Sequence, residues 1–219
     1  MRRREFIAFI GGAAMARPRA LGAQQSSDVS ASFFFRGRSF SLIYFAGISH
    51  DAVTELLVRC GYSIIGDTQY NAPFLNVLDS IEGVEGPRNN IIRKAVYRIS
   101  GGTVLLDPEM VVAFNHAEAI ARLCAEYRAD AFVAVWERVS ETVLARHIGA
   151  NGVLANVVLV KGTPQGTPIN PPEGIMSAPG PASLRDFLAT AGAPPDEMFG
   201  SVSARLFKLD ESGAIGYPR

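Results

Sequence analysis

Residues 115–161 read NHAEAIARLCAEYRADAFVAVWERVSETVLARHIGANGVLANVVLVK, and this stretch holds the densest apolar patterning of the chain. Asn115 can cap a helix and Glu118 follows three residues later, a combination typical of a helix start. Apolar residues then recur at helical spacing, at Ala117, Ile120, Ala121, Cys124 and Tyr127. The pattern predicts a helix over residues 115–128.

The apolar period changes to two after Ala129 and Asp130, which is typical of a strand. Strands are predicted over residues 131–135, 142–148 and 153–160, and the Gly-Ala-Asn-Gly link before the last of them suits a hairpin. A short helix is the alternative for 140–148. So short a helix would be unusual as a crossover between parallel strands, which favours the strand.

The amino-terminal half of the chain predicts a strand at 39–46, a helix at 50–59 and a second strand at 62–65. These three elements would form a βαβ unit if the two strands paired in parallel. A second helix is predicted at 71–82. Residues 91–99 fit a helix or a strand, and the glycine pair that follows favours the helix.

The remaining predicted elements complete the fold. They are a short apolar strand at 103–106, a helix from Ser183 to Gly192, and a closing hairpin of strands 202–209 and 214–217. The elements together predict an α/β (α+β mixed) fold, with a mixed sheet of about five to six strands and helices packed on it.

Length and composition are consistent with one globular domain. A chain of 219 residues that is 48% hydrophobic and 19% charged can bury a sizeable core. We place the domain at 33–219, after a flexible link at 24–32. Five arginines and one glutamate fall in residues 1–23, so the remainder keeps 16 of the 21 basic and 20 of the 21 acidic residues. A mildly acidic body without a Lys/Arg cluster argues against nucleic acid and anionic lipid as partners.

Residues 1–23 have the three parts of a cleavable secretory signal: a basic start, an apolar run at 6–16 and a small-residue exit at Ala23. The apolar run is shorter than the roughly 20 residues that span a bilayer. Arg3-Arg4-Glu5-Phe6-Ile7 resembles the twin-arginine export motif of bacteria. The resemblance implies export to the periplasm and cleavage after Ala23, with an uncleaved tail or anchor as the alternative. No stable membrane insertion is expected after cleavage.

Two cysteines, Cys60 and Cys124, fall late in predicted helices. An oxidising periplasm permits a disulfide bridge between them. Two buried free thiols are the favoured interpretation.

Residues 162–182 contain six prolines and four glycines, a composition that excludes a helix or a central strand. A loop of this length inside a compact domain is typically functional or disordered. We predict that it contacts a protein partner. The predicted binding residues are Pro168, Pro171, Pro172, Ile175 and Met176.

The chain contains no recognisable catalytic motif. His50, His116 and His147 lack metal-ligand spacing, so neither a metal site nor a cofactor is predicted. Ser49 and His50 stand at a strand-to-helix turn, where a hydrolase can present its nucleophile. Helix capping by Ser49 explains that residue more simply.

Two acid pairs are candidates for acid–base catalysis: Asp107 with Glu109, and Glu137 with Glu141. Solvated acids beside loops and strand ends are the simpler interpretation. Trp136 alternates with apolar residues on one strand face, which favours core packing over a contact surface.

A family resemblance rests on three short motifs: Leu105-Leu106-Asp107-Pro108-Glu109, then Ala129-Asp130-Ala131, and finally Lys208-Leu209-Asp210-Glu211-Ser212-Gly213. Their order is similar to that in the α/β domain shared by the amino-terminal region of the Tol-system propeller protein, penicillin-binding-protein activator lipoproteins and curli-secretion lipoproteins. The resemblance spans about residues 39–217. The chain departs from the pattern in lacking a lipidated cysteine and in its Pro/Gly-rich loop. The resemblance implies an envelope protein that contacts other proteins and has no catalytic residues.

The expected function is therefore that of a soluble periplasmic accessory or binding protein that acts through protein contacts, with an envelope protein as its partner. One alternative is an exported hydrolase that uses Ser49 and His50, which predicts a deep pocket beside them. The other is a small-ligand binder, which predicts a cavity with a few converging polar groups.

Overall fold

The computed structural model describes residues 39–65, 70–82, 93–108 and 110–209. Its centre is one sheet of ten strands within those ranges. The strands are β1 (Phe40–Ala46), β2 (Tyr62–Ile64), β3 (Tyr70–Pro73), β4 (Arg93–Ile99), β5 (Gly102–Leu106), β6 (Asp130–Glu137), β7 (Thr142–Gly149), β8 (Gly152–Val160), β9 (Thr163–Pro164) and β10 (Ser201–Leu209). Their order across the sheet is β2, β10, β4, β5, β1, β6, β7, β8, β9, and β3 also pairs with β10.

The prediction of a mixed sheet with about five to six strands is wrong. Every pairing among the described strands is antiparallel, and the sheet has ten strands. The expected βαβ unit is absent because β1 already has β5 and β6 as its two neighbours. β2 instead pairs with the carboxyl-terminal strand β10, where Ile64 faces Phe207. Apolar periodicity identifies strands, but it does not identify their partners.

Seven helices lie in the ranges that the structure covers. They are α1 (His50–Arg59), α2 (Phe74–Glu82), α3 (Val111–Asn115), α4 (Ala117–Tyr127), α5 (Glu173–Ser177), α6 (Pro181–Thr190) and α7 (Pro195–Phe199). Within the described residues, none of them has the length and apolar content needed to cross a membrane.

The core has two parts, one on each face of the sheet. Successive side chains of a strand point to opposite faces. Leu42 and Tyr44 of β1 therefore join the cluster that contains residues of α2, α5, α6 and α7. Ile43 and Phe45 join the cluster that contains residues of α1, α3 and α4. Burial on both faces explains the uninterrupted apolar run of this central strand.

Residues 91–99 do not form the predicted helix, because Arg93–Ile99 is strand β4. A tight turn through Gly101, at φ +81°, joins it to β5 as a hairpin. Ala95 and Tyr97 are buried in one part of the core and Val96 in the other. Consecutive apolar residues satisfy a helical period and a strand period equally, and the pairing with β5 decides between them.

The predicted helix at 115–128 is wrong at its amino-terminal end. Asn115 is the last residue of α3 and does not cap α4. α4 begins at Ala117 after the break at His116, whose side chain makes no capping hydrogen bond. Arg128 ends the helix in the left-handed conformation, at φ 50°.

Two other helix starts also differ from prediction. Residues Tyr70–Pro73 pair with β10 as strand β3, so α2 begins only at Phe74. α6 begins at Pro181, a residue that suits the first turn because it needs no amide hydrogen there. Ser183 is therefore inside the helix, where its hydroxyl donates to the Gly180 carbonyl at 2.9 Å.

The central strand unit is confirmed. β6, β7 and β8 contain the predicted strands at 131–135, 142–148 and 153–160, and the last two form a hairpin. The predicted final strand at 214–217 lies outside the described residues, as does the signal at 1–23.

The Pro/Gly-rich segment 162–182 contains more regular structure than its composition predicts. Thr163–Pro164 forms the two-residue edge strand β9, and a backbone bridge joins Ile169 to Asn156 of β8. The segment also contains the short helix α5. Proline is tolerated at these positions because they lie on the edge of the sheet or at helix starts.

Candidate functional site

A groove of about 630 Å³ lies between α1 and α4, and we call it the helix groove. Its lining residues from α1 and the following turn are Ala52, Glu55, Leu56, Arg59, Cys60 and Gly61. Those from α4 and the residue before it are His116, Ala119, Arg122, Leu123, Glu126 and Tyr127.

The helix groove exists because each helix turns a different stripe of side chains toward the sheet. Val53 and Leu57 of α1, and Ile120 and Cys124 of α4, are fully buried in the core. The next stripe on each helix therefore faces the other helix. Alanines in both stripes leave room between the two helices.

The floor of the helix groove is apolar. Leu56 and Leu123 are only 5% and 6% exposed, and Ala52 and Ala119 complete the surface. Such a floor can accept an apolar group of a ligand and remove it from water.

Charged side chains stand along the rim of the helix groove. Arg59 donates to the Glu55 carboxylate at 2.6 Å within α1. The pKa of Arg59 is raised, first by this hydrogen bond and also by the charge of Glu126 on α4. Within the part of the chain that the structure describes, neither Arg122 nor Glu126 forms an ion pair.

His116 stands in the helix groove near a buried ion pair. Lys94 of β4 pairs with Asp107 after β5, and both side chains are fully buried. Asp107 also accepts a hydrogen bond from the Ala113 amide at 2.8 Å. Partial burial lowers the pKa of His116; the Asp107 carboxylate opposes this effect and the Lys94 ammonium adds to it. His116 is therefore a neutral imidazole near pH 7.

Both cysteines are free thiols, but only Cys124 is buried as predicted, whereas Cys60 is partly exposed. Burial raises the pKa of the Cys60 thiol, although the charge of Arg122 acts in the other direction. Burial raises the pKa of the Cys124 thiol to about 11. Cys60 thus contributes a protonated thiol to the helix groove, which is a weak nucleophile.

Ser49 and His50 do not form a nucleophile–base pair. The Ser49 hydroxyl oxygen accepts from the Ala52 amide at 3.3 Å and caps α1. His50 is 2% exposed, and its Nδ1 lies 3.4 Å from the Asp51 carboxylate. Burial is the main reason that the pKa of His50 is lowered. Neither residue lines the helix groove.

Asp107 and Glu137, one member of each predicted acid pair, have structural roles. Asp107 is in the buried ion pair, and Glu109 lies outside the described residues. Glu137 accepts from the amides of Val139 and Ser140, at 2.9 and 2.6 Å. Burial acts to raise the pKa of Glu137, but hydrogen bonds from the Ser140 hydroxyl and from these two amides outweigh it and lower the pKa. Glu137 therefore stabilises the β6–β7 turn.

The third histidine, His147, stacks on Phe132 with ring centroids 4.3 Å apart. Its Nε2 lies 3.4 Å from the Asp130 carboxylate. Trp136 packs against the core cluster on the same face of the sheet, in agreement with the favoured interpretation.

The residues predicted to bind a partner differ in their exposure to solvent. Pro168, Pro171 and Pro172 are half-buried. Ile175 is fully buried in the core, whereas Met176 is 40% exposed. The prediction of a contact region in this segment stays a prediction, and Ile175 holds the segment against the core.

No pattern in the sequence predicts the helix groove, although His116 and Cys60 are candidates there for other reasons. Arg122 and Glu126 lie on the flank of an ordinary amphipathic helix. Only the position of α1 opposite them makes that flank one side of a groove. Among the residues that the structure describes, no group of three or more His, Cys, Asp or Glu side chains could hold a metal ion. Comparison of the chain with protein-family models, curated proteins and solved structures found no match.

Proposed function

We propose that the chain is an exported, non-catalytic binding protein that holds a small organic ligand in the helix groove. One observation carries the proposal: the groove has a volume of about 630 Å³, an apolar floor and a charged rim. Small-molecule sites typically have volumes of about 300–1,000 Å³ and combine apolar lining with a few polar groups.

A binding role is favoured over hydrolysis because the candidate catalytic groups have structural roles. Ser49 caps α1, and His50 is buried beside it. The neutral His116 and the protonated Cys60 can contact a ligand, but neither is an activated nucleophile. The export signal at 1–23 is part of the proposal and rests on the Arg3-Arg4 motif.

The proposal is tested by filling the helix groove. Ala119 lines the groove, and Ala125 is an exposed residue of the same helix that does not. We expect native mass spectrometry of the wild type and of Ala125→Trp, each mixed with the small-molecule fraction of a periplasmic extract, to show the same bound compound. Ala119→Trp should show none. A compound that binds all three proteins equally, or no bound compound at all, would contradict the proposal.

A protein partner is the second candidate, and the exposed apolar residues of segment 162–182 favour it. Ile169 is 45% exposed, and two backbone hydrogen bonds with Asn156, at 2.7 and 2.8 Å, hold it on the edge of the sheet. Met176 is 40% exposed on α5. The adjacent prolines lack amide hydrogens, so this edge is poorly suited to adding a partner strand. Side chains would have to make the contact.

The second candidate is tested by changing those side chains rather than by deleting the segment. Deletion would remove Ile175 from the core, whereas Ile169→Ser combined with Met176→Ser leaves the core intact. We expect the double variant to lose a partner that the wild type captures from periplasmic extract. Equal capture by both proteins would exclude this surface.

A further inference from the structure

We propose that the ligand of the helix groove is a short peptide with free amino and carboxylate ends and an apolar side chain. This inference rests on the proposed function, because it names the chemical class of the ligand in the same groove.

Two exposed, oppositely charged side chains of α4 face the helix groove. Arg122 and Glu126 both line the helix groove, and neither forms an ion pair among the residues that the structure describes. They are four positions apart on one helix, a rise of about 6 Å along its axis. The ends of a dipeptide are separated by a similar distance. A carboxylate near Arg122 and an ammonium near Glu126 would satisfy both side chains at once.

The remaining rim of the helix groove contributes little additional net charge. Arg59 of α1 already pairs with Glu55 at 2.6 Å, and the charge of Glu126 also acts on it. His116 and Cys60 are neutral near pH 7, for the reasons given above. Arg122 and Glu126 are therefore the charged lining residues that form no ion pair among the described residues.

The two opposite charges disfavour ligands that have a single charge or none. An anionic ligand would be attracted by Arg122 and repelled by Glu126, and a cationic ligand would experience the reverse. An uncharged ligand would form an ion pair with neither residue. Only a ligand with both charges complements the whole rim, and the floor between Leu56 and Leu123 accepts its apolar side chain.

The test uses isothermal titration calorimetry with the dipeptide alanyl-leucine and its two capped forms, the N-acetyl derivative and the C-terminal amide. We expect each cap to weaken binding by roughly 5-fold, because exposed ion pairs contribute up to about 1 kcal/mol each. Arg122→Gln should no longer distinguish the free acid from the amide. Glu126→Gln should no longer distinguish the free amine from the N-acetyl form.

Glu118→Gln is the matched control, since Glu118 is exposed on the same helix but does not line the groove. This variant should bind all three probes like the wild type. Equal binding of all three probes to the wild type, or no binding of the dipeptide, would overturn the peptide class.

Ala119→Trp distinguishes an error in the ligand class from an error in the position of the site. If it still blocks the compound from periplasmic extract while the dipeptide does not bind, only the ligand class is wrong. If it leaves dipeptide binding intact, the groove itself is wrong.

Discussion

Lys94 and Asp107 form an ion pair in the interior of the protein, with both side chains at 0% exposure. Removing one member of such a pair leaves the other charge buried without its partner, which typically costs about 3–5 kcal/mol. We expect Asp107→Ala to lower the free energy of unfolding by about that amount, measured by urea denaturation. Asp186→Ala is the control, because Asp186 is in an exposed ion pair worth about 0–1 kcal/mol. Equal effects of the two substitutions would show that the buried pair does not stabilise the fold.

The buried His50 and the partly buried His116 predict that stability decreases in mild acid. The pKa values of His50 and His116 are lowered, in both cases mainly by burial. The unfolded chain, with a histidine pKa of about 6.5, therefore takes up protons at a higher pH than the folded protein. The stability that the neutral side chains contribute is present above about pH 6.5 and is lost as the pH falls below it.

Urea denaturation at about pH 7.5 and about pH 5.5 measures this loss directly. Stability should be lower at the acid pH, and His50→Gln should reduce the difference. A difference that His50→Gln leaves unchanged would contradict the role of that residue.

The close approach of β5 to β1 predicts that Gly102 tolerates no side chain. A Cβ atom at Gly102 would lie 2.1 Å from the Phe45 carbonyl oxygen and 2.9 Å from the Tyr44 ring. We expect Gly102→Ala to destabilise the protein by about 1–3 kcal/mol, the usual cost of overpacking. A Cβ atom at Gly174, in α5, would meet nothing within 4 Å, so Gly174→Ala should be close to neutral. Thermal unfolding of the two variants compares them, and equal melting temperatures would refute the close approach.

The amino-terminal motif predicts the export route. Replacing Arg3 and Arg4 by lysines keeps the charge but removes the guanidinium pair of the twin-arginine motif. Cell fractionation should then find the double variant in the cytoplasm and the wild type in the periplasm. Undiminished export of the variant would contradict the proposed route.

Local patterns predict the positions of the central strands well, but they predict poorly which strands pair in the sheet. The period-two run through residues 131–135 and the glycines between β7 and β8 are local signals, and the structure confirms them. The pairing of β2 with β10 joins the amino-terminal part of the chain to its carboxyl-terminal part, and no local pattern predicts such a pairing. The pattern of residues 91–99 predicts a helix where Arg93–Ile99 forms a strand, because their apolar residues satisfy both periods.

The candidate site was less predictable than the fold. Ser49 caps α1 as predicted, because a helix cap can be recognised from the residues next to it in the sequence. The helix groove depends on the distance between two helices that are separated in the chain by four strands. Arg122 and Glu126 do not indicate a binding site in the sequence, because charged residues are common on the exposed flank of a helix.

The central claim is that the helix groove holds the ligand, and Cys60 can report on its occupancy. Cys60 lines the groove and is partly exposed, whereas Cys124 is 0% exposed and should stay unmodified while the protein is folded. The direct measurement is the rate of Cys60 alkylation by iodoacetamide, followed by peptide mass spectrometry with and without the small-molecule fraction of periplasmic extract. The account predicts that the fraction slows alkylation of Cys60. An unchanged rate, under conditions in which the protein binds a compound from that fraction, would contradict it.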